Sequence, residues 1–539
     1  MIARGEWRWA AGFAALVMAV TTLPYLVGVA SQTSDWRFGG FVLGVEDGNS
    51  YIAKMGQGAR GAWLFTLPYS SEPQRGVPLF EFHLLLGKLA GPGHDALVLV
   101  YHLARVVMGM ALLLISYRFL AEFLPDVRQR RLGLALVAVG GGLGWLLALF
   151  GLDHLFGSLP IDFYSPEAFT FLILYTLPHL AAARCLFLLG LLAYLRGRGV
   201  VAGLALLAAS LIQPLSVLVA WLVIGIDSAS AWLFPYLRFT FHLPPRSGRQ
   251  PRPVGARRPS TLHAPRSILN ALTAILLSSP FVLYTVYLFS ADPLLAQWNA
   301  QNILTSPHPL HYVFGYGALI VFGVGGWRVL WSRRPDLARF VAGWALAVPF
   351  LLYAPLTTQR RLVEGFQLPL VALAVLGLTD ALRSFRRWAL LFAMTLTVPT
   401  SALLLAGGVA AALVSAQPLF HPAGQLAAFD WLSENAEAGK VVLSSFETGN
   451  ALPAYTPLVA YIGHGPETVF LAQKQPRVAA FYRSSTADAD RRRLLAEGRI
   501  AFVLFSLHER ALGDFDPDTV DYLRWRFTSS DYAIYEVTP

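Results

Sequence analysis

The sequence predicts a mainly α, polytopic membrane protein of about eleven spans with a C-terminal extracytoplasmic α/β domain, and three observations predict it. Of 539 residues, 55% are hydrophobic and only 14% charged, where soluble proteins carry about 25% charged residues. Apolar runs of about 20 residues, the length that crosses a bilayer, recur as far as Leu413 and then stop. From Val414 onward there are 11 Lys and Arg against 15 Asp and Glu, so the net charge of +10 arises in the apolar part. A basic excess in short loops between apolar runs marks topology and speaks against a nucleic-acid partner. The single cysteine, Cys185, excludes an intramolecular disulfide and a Cys-based metal cluster.

The expected spans are Ala10–Ala30, Leu97–Leu120, Leu132–Gly151, Phe169–Leu195, Val200–Leu211, Leu215–Tyr236, Ile268–Phe289, Tyr312–Trp331, Phe340–Tyr353, Phe366–Leu382 and Ala389–Leu413. Arginines orient them. One set of short segments holds Arg4 and Arg8, Arg118 to Arg131, Arg196 and Arg198, seven arginines from Arg238 to Arg266, Arg328 to Arg339, and Arg383 to Arg387. This set is assigned to the cytoplasm. The opposite short segments, Leu152–Ala168, Ser290–Pro309 and Leu356–Gly365, hold only Arg360 and Arg361. The N-terminus is then cytoplasmic, and the region after Leu413 lies outside a bacterial plasma membrane. Val200–Tyr236 reads as one long crossing or as a hairpin broken at Gln213-Pro214; the hairpin preserves the arginine rule, with Val200–Leu211 short or re-entrant. Arg4 and Arg8 before Ala10–Ala30 also suit a cleaved signal peptide, but the apolar core exceeds the roughly 7–15 residues usual for one. Residues 239–266 are rich in Pro and Arg and read as a basic cytoplasmic linker within a transmembrane domain of residues 1–413.

Residues 31–95 form the first external loop. Asn49–Gln57 and Val77–Leu89 read as short helices, the second amphipathic with Leu79, Phe82, Leu85, Leu86 and Leu89 on one side, suited to lie along the membrane surface. In residues 414–539, Gly424–Asn435 and Asp488–Glu497 read as helices, and Val441–Ser444, Ala501–Phe505 and Tyr532–Val537 as strands.

Four constellations carry candidate chemistry. The first is the acids of the external loop, Asp35, Glu46 and Asp47: a carboxylate held at the membrane boundary suits a general base toward a hydroxyl or amine, or a ligand to a divalent cation (Mg or Mn), with Asp47 as its site. The second is Gln359-Arg360-Arg361 with Glu364, where guanidinium groups match phosphate oxygens two at a time, or snorkel and pair with Glu364. The third is ionisable groups within spans, His102 and Arg105 near an outer end, and His179 and Arg184, which must face a cavity or a partner. The fourth is the outer segment Asp292–His311, with Trp298, Asn299 and Gln301 suited to a sugar or to the interfacial belt. In the tail, His464 and Glu467 sit in a turn-like Gly463–Thr468, and Glu447–Asn450 is turn-like too. No Gly-rich phosphate loop, metalloprotease motif or nucleophile elbow is present.

Together these features resemble the GT-C class of membrane glycosyltransferases, which includes protein O-mannosyltransferases, the aminoarabinose transferase of lipid A and RgtA/B/C/D-like bacterial proteins. The shared features are an acidic pair soon after the first span, surface helices in a long first loop and an external soluble tail. Gln359-Arg360-Arg361 with Glu364 and Pro369 resembles the late outer-loop arginine region that holds the lipid phosphate in such enzymes. The resemblance implies a transferase that moves a sugar from a polyprenyl-phosphate donor, with inversion, to a glycan, lipid or protein acceptor. It implies Asp47 or Glu46 as base or metal ligand, and Arg360 and Arg361 as the phosphate clamp; Gln359, Asp35, Arg105, His102, His464 and Glu467 are further substrate-binding candidates from the sequence itself. The chain departs from the class in having Glu46-Asp47 in place of an Asp-Glu pair or a spaced Asp-x-Asp, which leaves open the metal and which acid acts. Two other readings compete: a transporter or flippase of a lipid-linked or polar substrate, and a non-catalytic membrane scaffold. A transporter predicts paired broken helices in matching halves with midplane polar groups, whereas the odd polar groups here crowd one boundary.

Overall fold

Proline and glycine decide where the apolar runs break. The computed structural model describes residues 2–240, 263–382 and 386–538. The chain runs through α1 (Arg4–Ala30), β1 (Trp36–Phe38), α2 (Val45–Ala59), α3 (Glu81–Ala90), α4 (His94–Phe123), α5 (Val127–Val139), α6 (Gly144–Leu149), α7 (Ile161–Tyr164), α8 (Thr170–Thr176), α9 (Pro178–Leu195), α10 (Gly199–Ile212) and α11 (Pro214–Thr240). It continues through α12 (His263–Ala291), α13 (Pro293–Gln301), α14 (Pro309–Arg333), α15 (Pro335–Leu352), a 3-10 turn at Gln359–Val363, α16 (Gln367–Leu376), α17 (Arg386–Thr397) and α18 (Pro399–Ala412). The tail comprises β2 (Phe420–Pro422), α19 (Ala423–Asn435), β3 (Val441–Leu443), α20 (Phe446–Tyr455), β4 (Val459–Ala460), α21 (Leu471–Phe481), α22 (Asp488–Glu497), β5 (Ile500–Phe505), α23 (Leu507–Arg510), β6 (Leu523–Ser529) and β7 (Tyr532–Val537).

Among the described residues, nine helices are long and apolar enough to cross a membrane, and this is a multi-pass membrane protein. They take up nine of the eleven expected segments; the other two differ for local reasons. Leu132–Gly151 is two pieces, because α5 ends before Gly140-Gly141-Gly142 and only the short α6 follows. The carboxylate of Asp162 accepts the N–H groups of Gly142 (2.9 Å) and Gly144 (3.1 Å) and the hydroxyl of Thr400 (2.7 Å). These bonds satisfy the backbone that the helix break frees. Val200–Leu211 falls in α10, whose 14 residues reach about 21 Å at 1.5 Å per residue, short of a hydrocarbon core of about 30 Å. The chain breaks at Gln213, since Pro214 has no N–H to continue α10 and starts α11 instead. Leu177-Pro178 divides Phe169–Leu195 in the same way. Most of the 239–266 linker lies outside the described residues.

The chain divides into two compact units: Met1–Val17, Met108–Thr285 and Leu304–Leu403; and Met18–Val107, Val286–Ile303 and Leu404–Pro539. At the centre of the first unit stands α16, apolar along its length after Gln367 and buried at every position. A helix hydrophobic all round belongs inside.

The second unit contains a five-stranded sheet in the order β4-β3-β5-β7-β6. Its β4, β3 and β5 are parallel, and β7 joins β5 and β6 antiparallel. Both faces are covered, which explains why β3 and β5 read as continuous apolar runs rather than alternating ones. Val441, Leu443, Val503 and Phe505 pack with Val478 and Phe481 of α21 and Leu494 and Leu495 of α22. Val442, Phe502 and Leu504 pack with Phe429 and Leu432 of α19, Leu452 of α20 and Tyr69 of the first loop. The first loop is also tied to the tail by β1, which pairs antiparallel with β2. The two-residue strand β4, the seven-residue strand β6 and the helices α20 and α21 are among the additions to the elements read from sequence, and Glu447–Asn450 lies inside α20 rather than in a turn.

Two short helices were expected in the first loop, and α2 and α3 occupy those stretches with shifted ends. Val77 pairs with Phe65 as a bridge instead of starting a helix. The helices pack backbone to backbone: a Cβ at Gly58 would fall 2.0 Å from the Leu84 oxygen, and one at Gly87 1.8 Å from the Met55 oxygen. Gly87→Ala should therefore separate α2 from α3, with an overpacking cost of about 1–3 kcal/mol. Thermal unfolding in detergent is the check, and a variant that melts with the wild type contradicts this packing.

Candidate active site

Glu46 and Asp47 occupy the first turn of α2, not an extended loop. Gly44 takes a left-handed conformation (φ 64°) that a side chain disfavours, and the helix starts directly after it. Carboxylates suit this position, because unpaired N–H groups and the helix dipole make the N-terminus positive. Along α2, Asp47, Ser50 and Lys54 succeed one another at helical spacing and share one face. Opposite them stands Gly463–Phe470, the loop that leaves the carboxyl end of β4, the end at which parallel sheets carry their functional loops.

The loop is held at several points. The Gln301 amide at the end of α13 donates to the oxygens of Pro466 (2.9 Å) and Thr468 (2.6 Å) and accepts from the Phe470 N–H (3.2 Å). Ser70 donates to the Glu467 oxygen at 2.9 Å and accepts from the Val469 N–H at 2.9 Å. Trp298, expected to face a sugar or the interface, is instead buried among Phe65, Leu295 and Val469.

Charge is concentrated where α2 meets this loop. Lys54, with no side-chain exposure, lies 2.5 Å from Glu467, and both also bond Ser50. Its ammonium stands over the Phe80 ring, 4.3 Å from the centroid. His464 is 4% exposed and places Nε2 3.4 Å from Oδ1 of Asp47, which is 64% exposed. His464 Nδ1 accepts the Glu467 N–H at 3.3 Å, so Nε2 carries the ring proton, near Asp47 but without a hydrogen-bond partner. Glu46 is differently engaged: its Oε1 accepts the Gly465 N–H at 2.7 Å and its backbone oxygen accepts from Asn450 at 3.3 Å. Burial alone would lower the His464 pKa, but the carboxylates of Glu467 and Asp47 outweigh it and raise the pKa above 6.5. Burial would raise the Glu467 pKa, but Lys54 and His464 outweigh it and lower the pKa below 4.5.

The remaining candidates of this unit stand apart from that array. Asp35 is exposed and accepts from Ser34 at 3.3 Å. His102 Nε2 donates to the Gly40 oxygen at 2.8 Å. Arg105, buried, donates to His102 (3.3 Å), Thr21 (3.3 Å) and Thr22 (2.7 Å), so it ties α4 to α1. These contacts give both span residues the protein partners that ionisable groups at membrane depth require. Lys54 escaped the sequence reading, although a lone lysine two turns after Asp47 on one helix face was visible there.

In the first unit, the 3-10 turn Gln359–Val363 carries the two arginines. Arg360 lies over the Tyr164 ring, 4.7 Å from its centroid, and its buried Nε has no hydrogen-bond partner. Arg361 is 3.6 Å from Glu167. The Gln359 amide, turned to satisfy its neighbours, donates to the Ala354 oxygen (2.6 Å) and accepts the Ser306 N–H (3.2 Å). Glu364, expected to pair with these arginines, pairs instead with Arg184 at 2.5 Å, both side chains buried. Arg184 also donates to the backbone oxygens of Pro166 (3.1 Å) and Glu167 (2.8 Å). It thereby ties α9 to the segment before α8, while Arg360 and Arg361 are half-buried.

A divalent cation needs several oxygen ligands, and among the described residues no group of three or more His, Cys, Asp or Glu side chains is placed to hold one. Asp47 has His464 beside it, and the near oxygen of Glu46 is bonded to Gly465. This donor set does not fit a protein-held metal.

No protein-family model matches the chain, and no curated protein matches it. Solved structures do. The apo oligosaccharyltransferase of Archaeoglobus fulgidus matches with a TM-score of 0.55 at 14% identity over 96% of this chain and 73% of its own. The same enzyme in complex with an inhibitory peptide and a dolichol-phosphate matches with a TM-score of 0.52 at 15% identity over 91% of this chain and 69% of its own. The arabinofuranosyltransferase AftD from Mycobacteria matches with a TM-score of 0.51 at 14% identity over 100% of this chain and 40% of its own. The chain has the GT-C fold of membrane glycosyltransferases.

The charge array can be tested by removing its members. Lys54→Met leaves Glu467 buried and unpaired and should cost about 3–5 kcal/mol, whereas Lys54→Met with Glu467→Gln should recover most of it; unfolding of both proteins in detergent separates the cases. The raised His464 pKa stabilises the fold fully below pH 6.5, its ordinary value, and that contribution is lost as pH rises through the folded-state value. The gap in melting temperature between wild type and His464→Gln should thus be widest on the acid side of pH 6.5 and narrow as pH rises; a gap that widens instead contradicts the assignment.

Proposed function

We propose that this protein transfers a sugar from a polyprenyl-phosphate donor to a glycan, lipid or protein acceptor on the outer face of a bacterial plasma membrane. The observation that carries the reading is the position of Asp47: an accessible carboxylate on a fixed helix turn, 3.4 Å from Nε2 of buried His464, within a GT-C fold. Asp47 takes the proton of the acceptor hydroxyl or amine as that atom attacks the anomeric carbon. The bond from the anomeric carbon to the phosphate oxygen breaks, and polyprenyl phosphate leaves with the electron pair, giving inversion. Glu46 is the structural neighbour, since its oxygen is bound to Gly465. Arg360 and Arg361 neutralise the lipid phosphate through guanidinium bonds, an assignment supported by the unpartnered Nε of Arg360. The arginine distribution supports an N-terminus in the cytoplasm and residues 414–539 outside. The dolichol-phosphate bound by the Archaeoglobus enzyme, on a shared fold, supports a lipid-phosphate partner.

The test is release of polyprenyl phosphate from a radiolabelled polyprenyl-phosphate sugar by the full chain in detergent, with a cell-envelope extract supplying acceptors. Asp47→Asn should lower the rate by about 100-fold or more, the range for loss of a general base. Arg360→Ala should act chiefly on the KM for the donor. Transfer by Asp47→Asn at the wild-type rate removes Asp47 from the mechanism, and a parallel chelation arm reads the metal requirement directly.

A further inference from the structure

Three buried groups adjoin Asp47 without contributing to the displacement itself: His464, Glu467 and Lys54. A buried ion pair is weak evidence for stability, because well-packed apolar residues often do as well in its place. Lys54 and Glu467 nonetheless meet at 2.5 Å with neither exposed, and Ser50 bonds both. Glu467 leaves one oxygen, Oε2, buried with no hydrogen-bond partner, so its charge is only partly spent on Lys54. The residue that faces that charge is His464, fixed through the Glu467 N–H to Nδ1 bond (3.3 Å) and packed against the Tyr69 ring, 5.3 Å between centroids. The other charged groups facing it are Asp47 and Glu46, both from α2, the second bound one residue away at Gly465.

We propose that His464 is the positioning residue of Asp47, held in place by the Glu467–Lys54 pair, and that it sets the pH above which Asp47 is an ionised base. This rests on the reading of Asp47 as the base. His464 Nε2 stands 3.4 Å from one carboxylate oxygen of Asp47, close enough for its charge state to act on that carboxylate. A second proton on His464, at Nδ1, gives up the Glu467 N–H bond and places a cation beside Asp47, which favours the carboxylate. No covalent bond to His464 forms at any step. The ion pair supplies the field and the fixed ring angle, so its influence on the reaction passes through His464.

The experiment uses the full chain in detergent with ring-labelled histidine, the His464 signal being assigned by its absence in His464→Gln. In the wild type this signal should titrate above free histidine. Asp47→Asn should move its midpoint down by at least half a pH unit, and the charge-free pair Lys54→Met with Glu467→Gln should move it as well. In the transfer assay the acidic limb of the rate profile should shift upward in His464→Gln, which keeps a donor but no charge, and further in His464→Leu, which keeps neither. A His464 midpoint indifferent to Asp47→Asn, or an acidic limb unmoved in both His464 variants, overturns the proposal. Full transfer by Asp47→Asn with the coupled titration intact overturns the reading of the base instead.

Discussion

The Lys54–Glu467 ion pair is the contact on which the candidate site depends. It joins a helix of the first loop to a turn of the tail more than 400 positions away, with both charges out of water. Charges so placed are costly unless paired and hydrogen-bonded. Here Ser50 and the ring of Phe80 complete Lys54, while Ser50 and Lys54 share one oxygen of Glu467 and its other oxygen has no hydrogen-bond partner. That constraint sets orientation. With Glu467 fixed, the His464 ring is fixed, and with the ring fixed, Asp47 has a defined neighbour at 3.4 Å.

A second buried pair has a comparable part in the other unit. Arg184 and Glu364 bury opposite charges beneath the 3-10 turn, and the spare N–H groups of Arg184 end on the backbone of Pro166 and Glu167. Gln367 extends the same network, accepting from Thr170 and donating to the Gly140 oxygen at 2.7 Å. In both units a charged pair holds a short irregular segment against regular helices. Irregular backbone needs such partners because it cannot satisfy its own N–H and C=O groups. The chemistry proposed for Asp47 and Arg360 therefore sits on segments whose geometry other ions impose.

The sequence determined the membrane class, because hydropathy and run length are local quantities. It likewise pointed to the break at Gln213-Pro214, where the ring removes a donor wherever the chain is, whereas Phe169–Leu195 was read as one span and breaks at Pro178. The ends of α22 and β7 were legible to the residue, since charge and alternation change abruptly there. Tertiary structure alone decided that Leu132–Gly151 is not one helix, because the group that captures its freed N–H donors, Asp162, lies some twenty residues on. It alone decided that Glu364 answers to Arg184 and not to its neighbours Arg360 and Arg361, and that Lys54, unmarked by any motif, stands against Glu467. Pairings of that kind depend on which buried charge finds a partner across the fold, and a linear pattern records the charges without recording who meets whom.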